Sequence, residues 1–299
     1  MIEYAKLTPG AGFSPVNAAL YYSQRLVQQR RIRSAIAKAI ARFVNAFHPM
    51  EAHGSKSQSY PTSTVVDIER NGYAVINRLA DDKALFDIEQ FLQKKEVLGP
   101  DGQQYFLSDL PSGTCVAPYP LETVLRCPHV LALANHPMVL SIAKAYLGCK
   151  PTLSSIGIRW TFPTEHPGTD VQRFHRDVDD WRTLKLFVYL TDVDEESGPH
   201  TYVAGSHRTP GSIFARSYNQ AELLQQYGPD SLRSILGPHG TTFLADVHGI
   251  HCGAVPINRP RLMLQIQYSL LPIYAFMYRP MTLPVSENLD MYINRLLLC

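Results

Sequence analysis

Residues 174–207 read FHRDVDDWRTLKLFVYLTDVDEESGPHTYVAGSH, and the fold is decided in this stretch. Two short runs rich in strand-forming residues, Leu184–Val193 and Thr201–Ala204, are divided by the turn formers Ser197, Gly198 and Pro199, and Ala204-Gly-Ser206 closes the second. Runs of the same kind lie on either side, at Leu153–Phe162, Thr241–Val247 and Arg261–Leu271. Regularly spaced short strands with turns between them predict an antiparallel sandwich or barrel from about Thr152 onward. A helix around Gln220–Tyr227 interrupts the series.

The same stretch carries chemistry. His175 and Asp177 are two apart beside a strand, so both project to one side and can hold a single metal ion. A second imidazole from a distant strand would complete a two-His, one-carboxylate face on an octahedral Fe(II), leaving three adjacent positions for a bidentate keto acid and dioxygen. The run GTTFLADVHGIHCG, residues 240–253, offers His248 and His251 for that place. RPRLMLQIQY, residues 259–268, then supplies an arginine. Arg261 opens an alternating apolar strand and suits the far carboxylate of 2-oxoglutarate, whereas Arg259, beside Pro260, reads as a loop residue. His175-Arg-Asp177 also spells a kinase triplet, but Arg182 stands where a kinase needs asparagine, and no glycine-rich loop is present.

Taken together, residues 174–207 and the HCG and RPRLMLQIQY segments resemble the phytanoyl-CoA dioxygenase superfamily of Fe(II)/2-oxoglutarate-dependent oxygenases, over roughly residues 150–270 and more weakly at 72–95. The resemblance implies a mainly β fold with flanking helices, built on a double-stranded β-helix (jelly-roll, cupin-like) core. It implies that His175, Asp177 and His251 hold the iron and that Arg261 binds 2-oxoglutarate; the spacing of His251 to Gly240 and Arg261 favours it over His248. Several members have a hydroxyl-bearing residue two positions after the second histidine, where this chain has Gly253. Halogenating relatives have a small residue where Asp177 stands, so hydroxylation of an unactivated C–H bond is expected, with succinate and CO2 as co-products. Gln172, Arg159 and Lys185 are further candidates for the barrel interior. His200 and His207 read as hydrogen-bonded loop residues, and Asp179 and Asp180 as solvated or turn-capping.

The N-terminal part differs in texture. A long helix is expected from about Val16 to Phe47, with Ile32, Ile36, Ile40, Phe43 and Phe47 on its packed face. The same stretch holds six Arg and Lys residues, while no acidic residue occurs between Glu3 and Glu51. This gives a basic amphipathic arm (residues 1–50), able to meet an anionic surface through residues 16–47, ahead of an oxygenase domain with flanking helices (51–299). Residues 51–64 read as a linker. A strand at 72–77 and helices at 81–95 and 137–147 follow, and segments 97–120 and 206–236 are the expected lid.

Overall composition, 45% hydrophobic and 18% charged with a net charge of +2, argues against wholesale disorder and calls for no nucleic-acid partner. Five scattered cysteines without a CxxC pair suit free thiols in a reducing compartment, and no segment reads as a membrane span, so a cytoplasmic protein acting on a small molecule is expected. Two other readings compete: a catalytically silent binding or regulatory protein of the same fold, and the same barrel with another metal, which would leave Arg261 without a purpose.

Overall fold

The computed structural model describes residues 3–49, 62–164, 172–212, 216–283 and 289–299. Most of the expected linker lies outside these residues. In the N-terminal part the elements are β1 (Glu3–Tyr4), α1 (Pro15–Leu26), α2 (Arg30–Phe47), α3 (Thr62–Asn71), β2 (Tyr73–Ile76) and α4 (Asp82–Leu92). Next come β3 (Val97–Leu98), β4 (Gln104–Tyr105), β5 (Val116–Pro118), α5 (Leu121–Arg126), α6 (Val130–Ala134) and α7 (Pro137–Leu147). The barrel strands are β6 (Thr152–Thr161), β7 (Thr183–Tyr189), β8 (His200–Val203), β9 (Leu232–Ile235), β10 (Thr242–Ala245), β11 (His251–Gly253) and β12 (Arg261–Ser269). Helix α8 (Gln220–Tyr227) precedes β9, and β13 (Phe276–Met277) and α9 (Met291–Asn294) end the chain.

Six strands form one antiparallel sheet in the order β2-β10-β7-β12-β6-β5, and three form a second in the order β11-β8-β9. Together they make the jelly-roll core. Alternation along the large sheet separates its two faces. Leu262, Leu264 and Ile266 of β12, with Leu184, Leu186 and Val188 of β7, point outward and are buried under the helices together with Ile142, Tyr146 and Leu85. The alternate residues Met263, Phe187, Tyr189 and Phe243 point inward into a smaller cluster between the sheets. Complete burial of one such leucine or isoleucine contributes about 1.5–3 kcal/mol, so the outer layer fixes which face of each strand looks into the barrel.

Helices α7 and α8 begin and end as expected, because Pro137 starts the first and the Asn219 side chain caps the second by accepting from Glu222 N. The N-terminal arm differs from expectation in two ways. It is two helices, broken at Val27–Gln29, and the break has a cause: Arg33 Nη1 donates to Gln24 O at 2.5 Å and to Val27 O at 3.2 Å, capping the end of α1. The packed face of α2 is also turned by about one residue. Arg33, Ala37, Ala41 and Val44 are buried, while Ile32, Phe43 and Phe47 are exposed. Arg33 is therefore an internal cation, not one of the surface charges, and its Nη2 donates to Asp180 O at 2.6 Å.

Stretch Val130–Leu147 has the length and hydropathy of a short membrane span. Asn135 and His136 split it into α6 and α7, whose buried residues belong to the main core.

Candidate active site

His175 and His251 are joined by backbone hydrogen bonds, His175 N to His251 O at 2.9 Å and the reverse at 3.0 Å, which places the HxD segment alongside β11. Asp177 N donates to Val247 O at 2.9 Å. As a result one carboxylate oxygen and one ring nitrogen from each histidine lie within 4.8 Å of one another, and these atoms could hold a metal ion. Nε2 of His175 is 3.4 Å from Asp177 Oδ1, and Nε2 of His251 is 3.8 Å from Asp177 Oδ2. His248 does not join them; its side chain lines a separate small cavity with Arg33, Tyr146 and Asp246.

The backbone selects the histidine tautomers. Nδ1 of His175 lies 2.7 Å from Arg173 O and Nδ1 of His251 lies 2.9 Å from Gly249 O. A carbonyl only accepts, so each Nδ1 carries the hydrogen and each Nε2 presents a lone pair to the centre. Burial pushes His251 down to about 3, so its ring is neutral at ordinary pH. Burial raises the Asp177 carboxyl, but the Lys185 ammonium at 2.6 Å and the two imidazoles outweigh it and hold the group well below the usual range.

Around this cluster is a cavity of about 770 Å³. Its walls come from the inner face of the large sheet (Ser155, Arg159, Lys185, Gln265 and Gln267) and from Leu98–Pro100, Val116, Pro118 and Tyr119. Tyr4, Tyr21 and Phe276 also line it, so part of the N-terminal arm belongs to the chamber. Segment 97–120 lies at the cavity as expected, but no described residue of 206–236 lines it, because α8 packs instead on Val203 and Ile250.

Arg261 is buried behind Gly253 of the cavity wall, 1% exposed, and burial lowers its guanidinium to about 10. Its Nε and Nη1 have no hydrogen-bond partner among the described residues. Gly253 explains the fit of this side chain: a Cβ there would come within 2.8 Å of Arg261 Nη2, so the guanidinium occupies space that a larger residue would need. Arg259 is an exposed loop residue paired with Asp194 at 2.8 Å.

Sequence reasoning missed three residues. His200 is a buried strand residue, not a loop one; its ring stacks 5.4 Å from that of His251 and it lines the chamber. Asp180 is buried and not solvated, accepting from Leu270 N at 2.7 Å and Leu271 N at 2.9 Å. Asp179 also lines the chamber and accepts from Gln267 Nε2 at 3.2 Å. His207 does sit in a turn, bonded to Glu69 O at 3.0 Å, and Cys252 is inert packing, its thiol pushed up to about 12 by burial.

The family model described as phytanoyl-CoA dioxygenase (PhyH) matches residues 68–253, more than half of the chain and inclusive of the whole His-Asp-His cluster. The chain belongs to the phytanoyl-CoA dioxygenase family. A member of this family is a 2-oxoglutarate-dependent non-haem iron oxygenase, and the match ends before Arg261. Among solved structures, HygX from Streptomyces hygroscopicus with nickel, 2-oxoglutarate and hygromycin B bound is similar at a TM-score of 0.53 and 14% identity, covering 76% of this chain and 93% of that one. EctD from S. alaskensis with 2-oxoglutarate and 5-hydroxyectoine has a TM-score of 0.53 and 17% identity, with coverages of 81% and 86%. SnoK, an alpha-ketoglutarate-dependent carbocyclase from nogalamycin biosynthesis, has a TM-score of 0.51 and 18% identity, covering 70% and 83%. At these identities the likeness is one of fold. No curated protein sequence compared with the chain matches it.

Proposed function

We propose that His175, Asp177 and His251 hold Fe(II), that Arg261 receives the far carboxylate of 2-oxoglutarate, and that the enzyme hydroxylates an unactivated C–H bond of a small molecule. The observation that carries this reading is the donor set itself: two Nε2 lone pairs and one ionised carboxylate within 4.8 Å, at the wall of a chamber of small-molecule size. Arg261 supports the co-substrate half, since a buried guanidinium with two unpartnered N–H groups is costly unless an anion meets it. When bound, iron and 2-oxoglutarate together activate dioxygen for C–H oxidation, with succinate and CO2 released.

The protein's own residues orient and shield. Arg173 O and Gly249 O fix the imidazoles, Lys185 takes one Asp177 oxygen so that the other is left for the ion, and Tyr4 and Tyr21 limit access of water. HygX and EctD bind small molecules, which supports the same class of substrate here. The other part of the reading, that residues 16–47 meet an anionic surface, is supported by exposed Arg31, Lys38 and Arg42 beside exposed Ile32 and Phe43; buried Arg33 takes no part in it. We place the enzyme in the cytoplasm on its five free cysteines.

The test is succinate formation from 2-oxoglutarate under air with Fe(II), with and without chelator. A catalytically silent binder would take up the co-substrate and form no succinate.

A further inference from the structure

The chamber wall carries a guanidinium that the proposed chemistry leaves unused. Arg159 of β6 stands opposite Met263 of β12, and Ser155, Gly157 and Arg159 share the inward face with Met263, Gln265 and Gln267. Arg159 lines the same chamber as the triad. It makes no hydrogen bond or salt bridge among the described residues, while the charged groups beside it are engaged with others. Lys185 is bonded to Asp177 at 2.6 Å, and Asp179 to Gln267 at 3.2 Å.

A partly buried guanidinium favours an anion in contact with it, and among the described residues Arg159 has only the longer-range pull of Asp177, a carboxylate already held by Lys185. Charge counting leads the same way. Arg159, Lys185 and Arg261 are three cations against the two carboxylates Asp177 and Asp179. Fe(II) and the 2-oxoglutarate dianion cancel one another, so the loaded site still holds one positive charge in excess. The rest of the inner wall near Arg159 is uncharged, with Ser155 and Gln265 able to give and take hydrogen bonds.

We propose that Arg159 is a substrate-binding residue and that the substrate is a small organic anion, its carboxylate or phosphate seated on this guanidinium. The inference rests on the assignment of iron and 2-oxoglutarate above. A planar fork of N–H donors suits either group, and two-pronged contact would fix the position of the reacting carbon relative to the triad. Tyr4, which is near Arg159, and Tyr21 line the same chamber and offer aromatic surface to the remainder of the substrate.

The experiment uses the full-length protein loaded with Fe(II) and 2-oxoglutarate under argon, where the visible charge-transfer band of the chelated keto acid reports the loaded state. Absence of that band in the wild type would overturn the iron and co-substrate assignment itself. With the band present, monocarboxylates and phosphate monoesters are titrated beside their uncharged amides and alcohols, with perturbation of the band as the readout. One arm of the panel tests carboxylate and the other phosphate. In at least one arm the anion should bind at least about tenfold more tightly than its neutral counterpart, the return on a charge-assisted two-pronged contact. Arg159→Gln should bring the pair to within about twofold, and Arg159→Lys should restore part of the difference, while the 2-oxoglutarate midpoint moves by less than about threefold in both. Binding of no probe, or equal binding of anionic and neutral members, overturns the proposal. So does an Arg159→Gln protein that loses 2-oxoglutarate as severely as Arg261→Ala, because Arg159 would then serve the co-substrate.

Discussion

Lys185 Nζ lies 2.6 Å from Asp177 Oδ2, so the carboxylate at the centre of the site is shared between a protein cation and the proposed metal position. Lys185→Met removes the group that does most to hold this carboxyl low. Protons then compete with the metal at higher pH, and the acid limit of Fe(II) binding moves upward. At neutral pH the affinity should drop by about 10–100-fold, as for other losses of a group that orients a ligand. Anaerobic calorimetric titration with Fe(II) at several pH values checks both effects.

The choice between two histidines three residues apart is testable by the same binding assay. His251→Ala should abolish Fe(II) binding, and His175→Ala likewise, with circular dichroism unchanged. His248 faces the other cavity, so His248→Ala should retain the metal. The reverse order for positions 248 and 251 would refute the proposed ligand set.

Arg261→Ala removes a buried charge-assisted contact worth about 2–4 kcal/mol, which should raise the KM for 2-oxoglutarate by about 30-fold or more. Arg259 is 65% exposed at its side chain and, among the described residues, paired with Asp194 alone, so Arg259→Ala should shift the same constant by less than about twofold. Equal effects would mean that the co-substrate does not reach Arg261.

Stability should decline in acid for a reason that can be located. Burial lowers His248 from 6.5 to about 3 and holds His200 well below its ordinary value. The unfolded chain accepts protons near 6.5 that these folded rings refuse, so their stabilising effect is complete above about pH 6.5 and is lost as the pH falls, for His248 toward 3. Each group contributes a slope of about 1.4 kcal/mol per pH unit in that window. Urea denaturation at pH 5 and pH 7 should show the loss, and His248→Gln, which cannot take up a proton, should flatten the acid limb.

The N-terminal helices are expected to be structural. Ala37, Ala41 and Val44 belong to the main core, and Arg33 holds Asp180 O. Deleting residues 1–50 should therefore lower the melting temperature or cause aggregation, and Arg33→Ala alone should destabilise by about 3 kcal/mol or more, since it leaves buried carbonyls unpaired. A truncated protein that melts like the full chain would show the arm to be an accessory.

The legible parts of this molecule were those with a local cause. Strand alternation exposes the barrel, Pro137 and Asn219 mark helix starts, and the HxD spacing places two donors on one side. The face of α2 was misjudged because its isoleucines and phenylalanines outweigh its alanines in any pattern of hydrophobicity. The helix lies so close to the end of α7 that a Cβ on Gly148 would meet Ala41 at 3.6 Å, and only small residues fit between them. His200 was misplaced because its meaning depends on register: it is opposite Gly253, two residues from His251, and no local signal carries that pairing. Asp180 likewise caps strand β12 from a position 90 residues away.

At the rim of the chamber β1 pairs with β13, Tyr4 opposite Phe276, and both side chains line the cavity. The wall is thus sewn from two segments that are far apart in sequence. At synthesis rates of about 5–20 residues per second, Tyr4 waits some tens of seconds for its partner. His251 also follows Tyr4 by a long interval, so a growing chain has neither the second imidazole nor this stretch of rim until both later segments have emerged. The chamber is therefore assembled late relative to its first strand, and the proposed metal position with it.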